Sequence, residues 1–144
     1  MALPTKLHLD IVTPERALTR EDVDEVVVPG AEGDFGILPG HTPMLATLRV
    51  GELWYRKGND RHYLAVAFGF VEVLPDRVTI LARIGEHAHE IDLERAERAR
   101  RRAEEMLNVP HATPLSDDQF ERARISLMKS MIRIQVSHRV KASL

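Results

Sequence analysis

The 144-residue sequence contains no cysteine. That excludes a disulfide framework and a thiolate metal site, and it fits a reducing compartment. Aromatic residues make up only 5% of the chain, which leaves little from which to build a base-stacking platform for nucleic acid. Trp54 and Phe120 stand alone and read as core or interface anchors. No excess of one charge is present either: a formal net charge of −2 gives no electrostatic footprint for nucleic acid. Long hydrophobic runs are missing too. The most apolar stretch, "LAVAFGFVEVL" at 64–74, is too short to span a bilayer and carries Glu72. "MALPTKLHLD" has no basic segment leading into a long apolar one, so no signal peptide is expected. The expectation is a soluble protein that meets a membrane only through a partner. No internal repeat or low-complexity tract is visible.

The chain is long enough to bury a core without staples. Its first half reads as β-structure. In "KLHLDIV", Leu7, Leu9 and Ile11 alternate with Lys6, His8 and Asp10, the period of a half-buried strand. "DEVVVPG" is a β-branched run stopped by Pro29-Gly30. "GELWYRKGNDRHYLAVAF" predicts a hairpin turning at Lys57–Asp60, and "FVEVLPDRVTILA" another turning at Pro75-Asp76. Turn signals every eight to twelve residues point to a sandwich or barrel, ending near Arg83.

The second half changes period. "IDLERAERARRRAEEML", from Ile91, is rich in Ala, Glu and Arg, all good helix formers, with Asp92 as N-cap. Leu93, Ala96, Ala99, Ala103, Met106 and Leu107 fall within roughly 140° of arc at about 100° per residue. A stripe built mostly of alanine lets another helix approach closely. "NVPHATPLS" breaks this helix at its prolines. Ser116 and Gln119 then form a capping box that opens a second helix to about His138. This helix carries two apolar stripes. Phe120, Ala123, Leu127, Met131 and Ile134 make one; Ile125, Met128, Ile132 and Val136 make the other. One stripe can face the first helix, and the second needs cover from the β-domain or from a different protein.

Three stretches invite chemistry. "GAEGDFGILPGHTP" at 30–43 is glycine-rich, yet it has no GK[ST] and leads into the β-like "MLATLRV" rather than a helix. A phosphate cradle needs both. A small sandwich enzyme using His41 and Asp34 is a rival reading, but no nucleophile motif supports it. The plainest account is that the glycines and prolines shape turns. In "EHAHE", His87 and His89 could share a metal, but no third ligand stands at a supporting spacing, so no metal is expected. The run "ERARRRAEE" reads as a solvated helix face.

Taken together, "VPGAEGDFGILPGHTPML", "GFVEVLPDRVTILA" and "EIDLERA", in this order and spacing, closely resemble the epsilon subunit of bacterial F-type ATP synthases over roughly residues 5–139. The resemblance implies a β-sandwich of about ten strands at 1–86, followed by two antiparallel helices in a regulatory hairpin at 87–144. It implies a non-catalytic rotor subunit at the foot of the central stalk, bound to gamma and the c-ring and transiently to the alpha/beta head. Its place would be peripheral, on the cytoplasmic face of the bacterial inner membrane, in a proton-translocating complex. The hairpin would switch between a compact state and an extended one that restrains ATP hydrolysis. Asp34, Phe35, Pro39 and His41 would then meet the c-ring and gamma. No cofactor is required, but some family members bind a regulatory ATP at this motif. Here the corresponding residues are Glu86, Ile91, Asp92, Arg95 and Ala96, with Arg122, Lys129 and Arg133 on the second helix. The last three are spaced i, i+7, i+11 and share a face within about 40°, while Arg95 and Arg102 are likewise i, i+7. Such basic rows can grip a triphosphate. Lys129 stands where ATP-binding members carry arginine and lacks the bidentate fork, so weak binding or none is expected. The runner-up is a stand-alone ATP-sensing module whose hairpin closes on nucleotide.

Overall fold

A computed structural model describes residues 3–108 and 110–142. The expected domain limits at residues 1 and 144, and Val109 in the connection between the helices, lie outside the described residues. Eight strands come first: β1 (Leu7–Val12), β2 (Ala17–Val23), β3 (Glu25–Gly30), β4 (Gly33–Ile37), β5 (Met44–Leu48), β6 (Gly51–Lys57), β7 (Asp60–Leu74) and β8 (Arg77–His87). A 3-10 turn at Ala88–Glu90 leads to α1 (Leu93–Asn108) and α2 (Asp117–Ala142). The sandwich-plus-hairpin class is borne out. About ten strands were expected and eight are found among the described residues. Part of the reason is that "LAVAFGFVEVL" and "RVTILARIGEH" each stay in one long strand, of 15 and 11 residues.

The strand order is β2-β1-β8-β7-β5-β3-β4, with β6 pairing β3 and β7. Strand β1 runs parallel to β8, and the other pairings are antiparallel. β7 is the pivot of this arrangement. Its first half pairs with β6 at 60–66 and its second half with β5 at 69–73. One strand thus serves two layers, which requires a kink between the halves. Phe68 (φ 61°) and Gly69 (φ 124°) supply it. A Cβ on Gly69 would lie 2.0 Å from the Leu81 carbonyl oxygen, so no side chain fits there.

Alternation fills the core as the sequence requires. Leu7, Leu9, Ile11, Val26, Val28, Leu53, Leu64, Val71, Val78 and Ile80 are buried in one cluster. The expected caps also form. Asp92 Oδ1 accepts the Arg95 backbone N–H at 3.1 Å. Gln119 N–H donates to Ser116 Oγ at 3.1 Å while Ser116 N–H donates to Gln119 Oε1 at 2.9 Å.

The hairpin is compact. α1 packs along α2, and α2 lies on β6 and β7. Ala96 and Ala103 of α1 and Ala123 of α2 are buried, and so is Ser130, only 1% exposed. Ser130 was absent from both stripes because its hydroxyl hides it from an apolar pattern. The hydroxyl is satisfied within the helix by the Leu127 carbonyl at 2.9 Å. Phe120 and Met131 of the first stripe are about half exposed. Ile132 and Val136 of the second are covered by the β-domain.

Candidate functional site: a protein-binding face and a docked hairpin

Two regions hold the candidate residues. The first is the loop and strand pair around β4 and β5. Asp34 is exposed and ion-paired with Arg49. Phe35 is half-buried and packs against the core, while Pro39 and His41 are half-buried at the turn that follows. The His41 Nδ1 sits 2.7 Å from the carbonyl oxygen of Thr42, so the ring is used to shape its own turn. Asp34, Phe35 and His41 share the lining of an open cleft of about 710 Å³ with Met44, Leu45 and Phe70; Pro39 lies outside it.

Sharing Leu45 and Phe70 with that cleft is a surface that sequence reasoning missed. Leu45 is 70% exposed, Phe70 54% and Leu81 52%. Registers place Phe70 opposite Leu81 on β8 and Thr47 on β5, with Leu45 opposite Glu72. These outward positions of β5, β7 and β8 form a continuous half-apolar sheet face, of a kind that marks a docking surface. The alternation was readable, but both faces of "FGFVEVLP" are apolar enough that neither stood out as the wet one.

The second region is where the hairpin meets the sandwich. Glu86 on β8 accepts the Arg133 Nε–H of α2 at 2.8 Å. Lys129 lies 5.9 Å from the centre of the Phe68 ring. Lys129 and Arg133 line a crevice of only about 10 Å³, room for about one water. Arg122 is further along α2, exposed, and paired with Asp118 at 3.0 Å. It lines a separate cleft of about 300 Å³ between the helices, together with Arg102, Gln119 and Ser126. Ile91 packs into the apolar contact under α2, Asp92 is occupied as a cap, Arg95 is exposed, and Ala96 is buried. The structure therefore brings Glu86, Lys129 and Arg133 together and holds Arg122 apart from them.

The segment between the domains is pinned to β2. His87 Nε2 lies 2.9 Å from the Leu18 carbonyl oxygen, and the ring stacks on His89 with centroids 5.4 Å apart. Glu90 accepts from Arg16 at 2.8 Å and from the His87 backbone N–H. Partial burial pushes the Glu90 carboxyl up, but the Arg16 and His87 donors outweigh it and hold its pKa below the usual range. Among the described residues, no three His, Cys, Asp or Glu side chains gather as a metal site. No helix among them is long and apolar enough to cross a membrane.

Comparison with known proteins matches both domains of the chain. Residues 6–88 match the family described as ATP synthase, Delta/Epsilon chain, beta-sandwich domain, and residues 89–138 match its long alpha-helix domain. The chain is 48% identical over 134 residues to "ATP synthase epsilon chain 2" of Syntrophotalea carbinolica, covering 93% of this chain and 95% of that one. It is 47% identical over 134 residues to the "ATP synthase epsilon chain" of Syntrophobacter fumaroxidans, covering 93% and 97%. A chain in the Euglena gracilis mitochondrial ATP synthase structure (OSCP/F1/c-ring) superposes with a TM-score of 0.69 at 20% identity, over 99% of this chain and 84% of that one, a likeness of fold. With both domains matched and close relatives along nearly its whole length, the chain belongs to the delta/epsilon chain family of ATP synthases.

Proposed function

We propose that this chain is a non-catalytic central-stalk subunit of a bacterial, proton-translocating ATP synthase, carried on the cytoplasmic face of the inner membrane through its partners. The observation that carries the reading is the exposed face of Leu45, Phe70 and Leu81 beside the Asp34 and His41 cleft. Side chains that large stay in water at a cost unless a protein covers them. Gamma is the partner proposed for this face, and the c-ring for the acidic rim at Glu32 and Asp34. The β-domain transmits torque between them, and the hairpin, released from the sandwich, reaches toward the alpha/beta head and restrains ATP hydrolysis. Full-length chain should co-purify with gamma, and failure to do so would overturn the reading. A chain ending at Glu90 should raise ATP hydrolysis by the assembled complex. Unchanged hydrolysis would remove the inhibitory role and leave the coupling role.

A regulatory nucleotide is the second proposal, and the favouring observation is the cleft with Arg102 and Arg122 on its walls. The crevice beside Lys129 and Arg133 has no room for a nucleotide, and Glu86 already occupies Arg133. ATP binding is therefore expected to be weak. Calorimetry at millimolar ATP with the parent chain and Arg122→Ala tests it, and no heat from either dismisses the site.

A further inference from the structure

The contact between α2 and the sandwich is built on one row of residues across three strands. Ala65 on β7 pairs with Glu52 on β6 and with Glu86 on β8, so the row reads acid, alanine, acid. Above it, α2 presents Arg133, Val136 and Arg139, spaced i, i+3, i+6. These fall within about 120° of arc, with the valine in the middle. Val136 is fully buried and packs with Ala65 and Ala88. Arg133 reaches Glu86 at 2.8 Å on one side. On the other, Arg139 donates through Nε and Nη2 to the two carboxylate oxygens of Glu52, both at 2.9 Å. Its guanidinium also lies 5.0 Å from the centre of the Tyr63 ring.

The spacings agree for a physical reason. Six helical residues rise about 9 Å. Two strand spacings in a sheet come to about 9.6 Å. An acid on each outer strand can therefore meet an arginine on each end of the helical triplet only when α2 crosses the strands in this register. A slip of one turn would bring Lys129 and Gln135 to the acids and lose the bidentate pair. The apolar part of the contact, Val136 on Ala65 and Ala88 with Tyr63, Ile91, Ile132 and Val140 around them, is non-directional and does not by itself fix a register. Charge-assisted bonds carry the selectivity.

We infer that Arg133-Val136-Arg139 on α2 and Glu86-Ala65-Glu52 on the sandwich form a three-point latch, two ion pairs astride one apolar contact, that sets the register and the salt sensitivity of hairpin docking. The inference rests on the reading that the hairpin docks and undocks. Release then requires breaking both ion pairs as well as uncovering Val136, and salt and competing acidic groups promote the first of these.

The absence of cysteine allows a clean test on the full chain, with spin labels placed by Asp60→Cys at the exposed β6–β7 turn and Gln135→Cys on the exposed side of α2. Pulsed electron resonance distances would be recorded at about 0.05 M and about 0.5 M salt, where the screening length falls from more than 10 Å to a few ångström. The parent should give one short distance at low salt. Glu52→Gln and Arg139→Gln should each raise the long-distance population about fivefold or more, with the sandwich intact by circular dichroism. The exchanged pair, Glu52→Arg with Arg139→Glu, should recover much of the short distance. Unchanged distances in the single variants, or an exchanged pair no better than the worse single one, would overturn the latch. Failure of the parent chain to bind gamma would count against the rotor reading instead and leave these distances as they are.

Discussion

Phe68 and Gly69 show how much two residues decide. They turn β7 from one layer to the other, and both do so at positive φ. Gly69 has no room for a methyl group, whereas Gly58, at φ 61°, faces open space. Gly58→Ala should therefore cost only the left-handed penalty, about 1 kcal/mol. Gly69→Ala adds a backbone clash and should cost about 3 kcal/mol or more, enough to lower the thermal midpoint by well over 10 °C. Equal midpoints for the two variants would contradict this account of the kink. A second residue-scale expectation concerns Glu90, whose carboxyl is held below its ordinary value of 4.5. A depressed carboxyl contributes stability that is present above the unfolded value and lost as pH falls through the folded one. The pin between the 3-10 turn and β2 should therefore hold at neutral pH and loosen below about pH 4.5. Amide exchange at Ala88–Glu90 should accelerate there in the parent and already be fast at neutral pH in Glu90→Gln.

Among the elements, the helices were the most legible. Their caps are local, and Asp92, Ser116 and Gln119 do what their spacing suggested. Ser116→Ala should cost about 1 kcal/mol, measured as earlier loss of helix on heating. The alanine stripe was legible as well. Ala96 and Ala103 are buried beside α2, and Ala103→Leu should force the helices apart at about 1–3 kcal/mol, melting the hairpin before the sandwich. What stayed hidden was nonlocal. The meeting of Glu52, Ala65 and Glu86 depends on pairings between strands far apart in sequence, and no periodicity within one segment reports them. For the same reason Arg133 read only as a member of a basic row, with Glu86 beside it as a fellow candidate rather than as its ion-pair partner.

At the scale of the whole molecule, the two domains differ in how they are held. The sandwich closes on one continuous apolar cluster, while the hairpin rests on a small contact flanked by ion pairs. On the proposed function, the sandwich is the part that stays and the hairpin the part that leaves. The part that stays also carries the face left uncovered at Leu45, Phe70 and Leu81. The most direct measurement is a calorimetric titration of gamma with the parent chain, with Phe70→Glu together with Leu81→Glu, and with Phe120→Glu as a control on the hairpin. The expected result is tight binding by the parent and the control, and a loss of about a hundredfold or more in the double variant, as for buried anchors of an interface. Equal affinity for all three chains, or none for the parent, would contradict the placement of this protein on the stalk through that face.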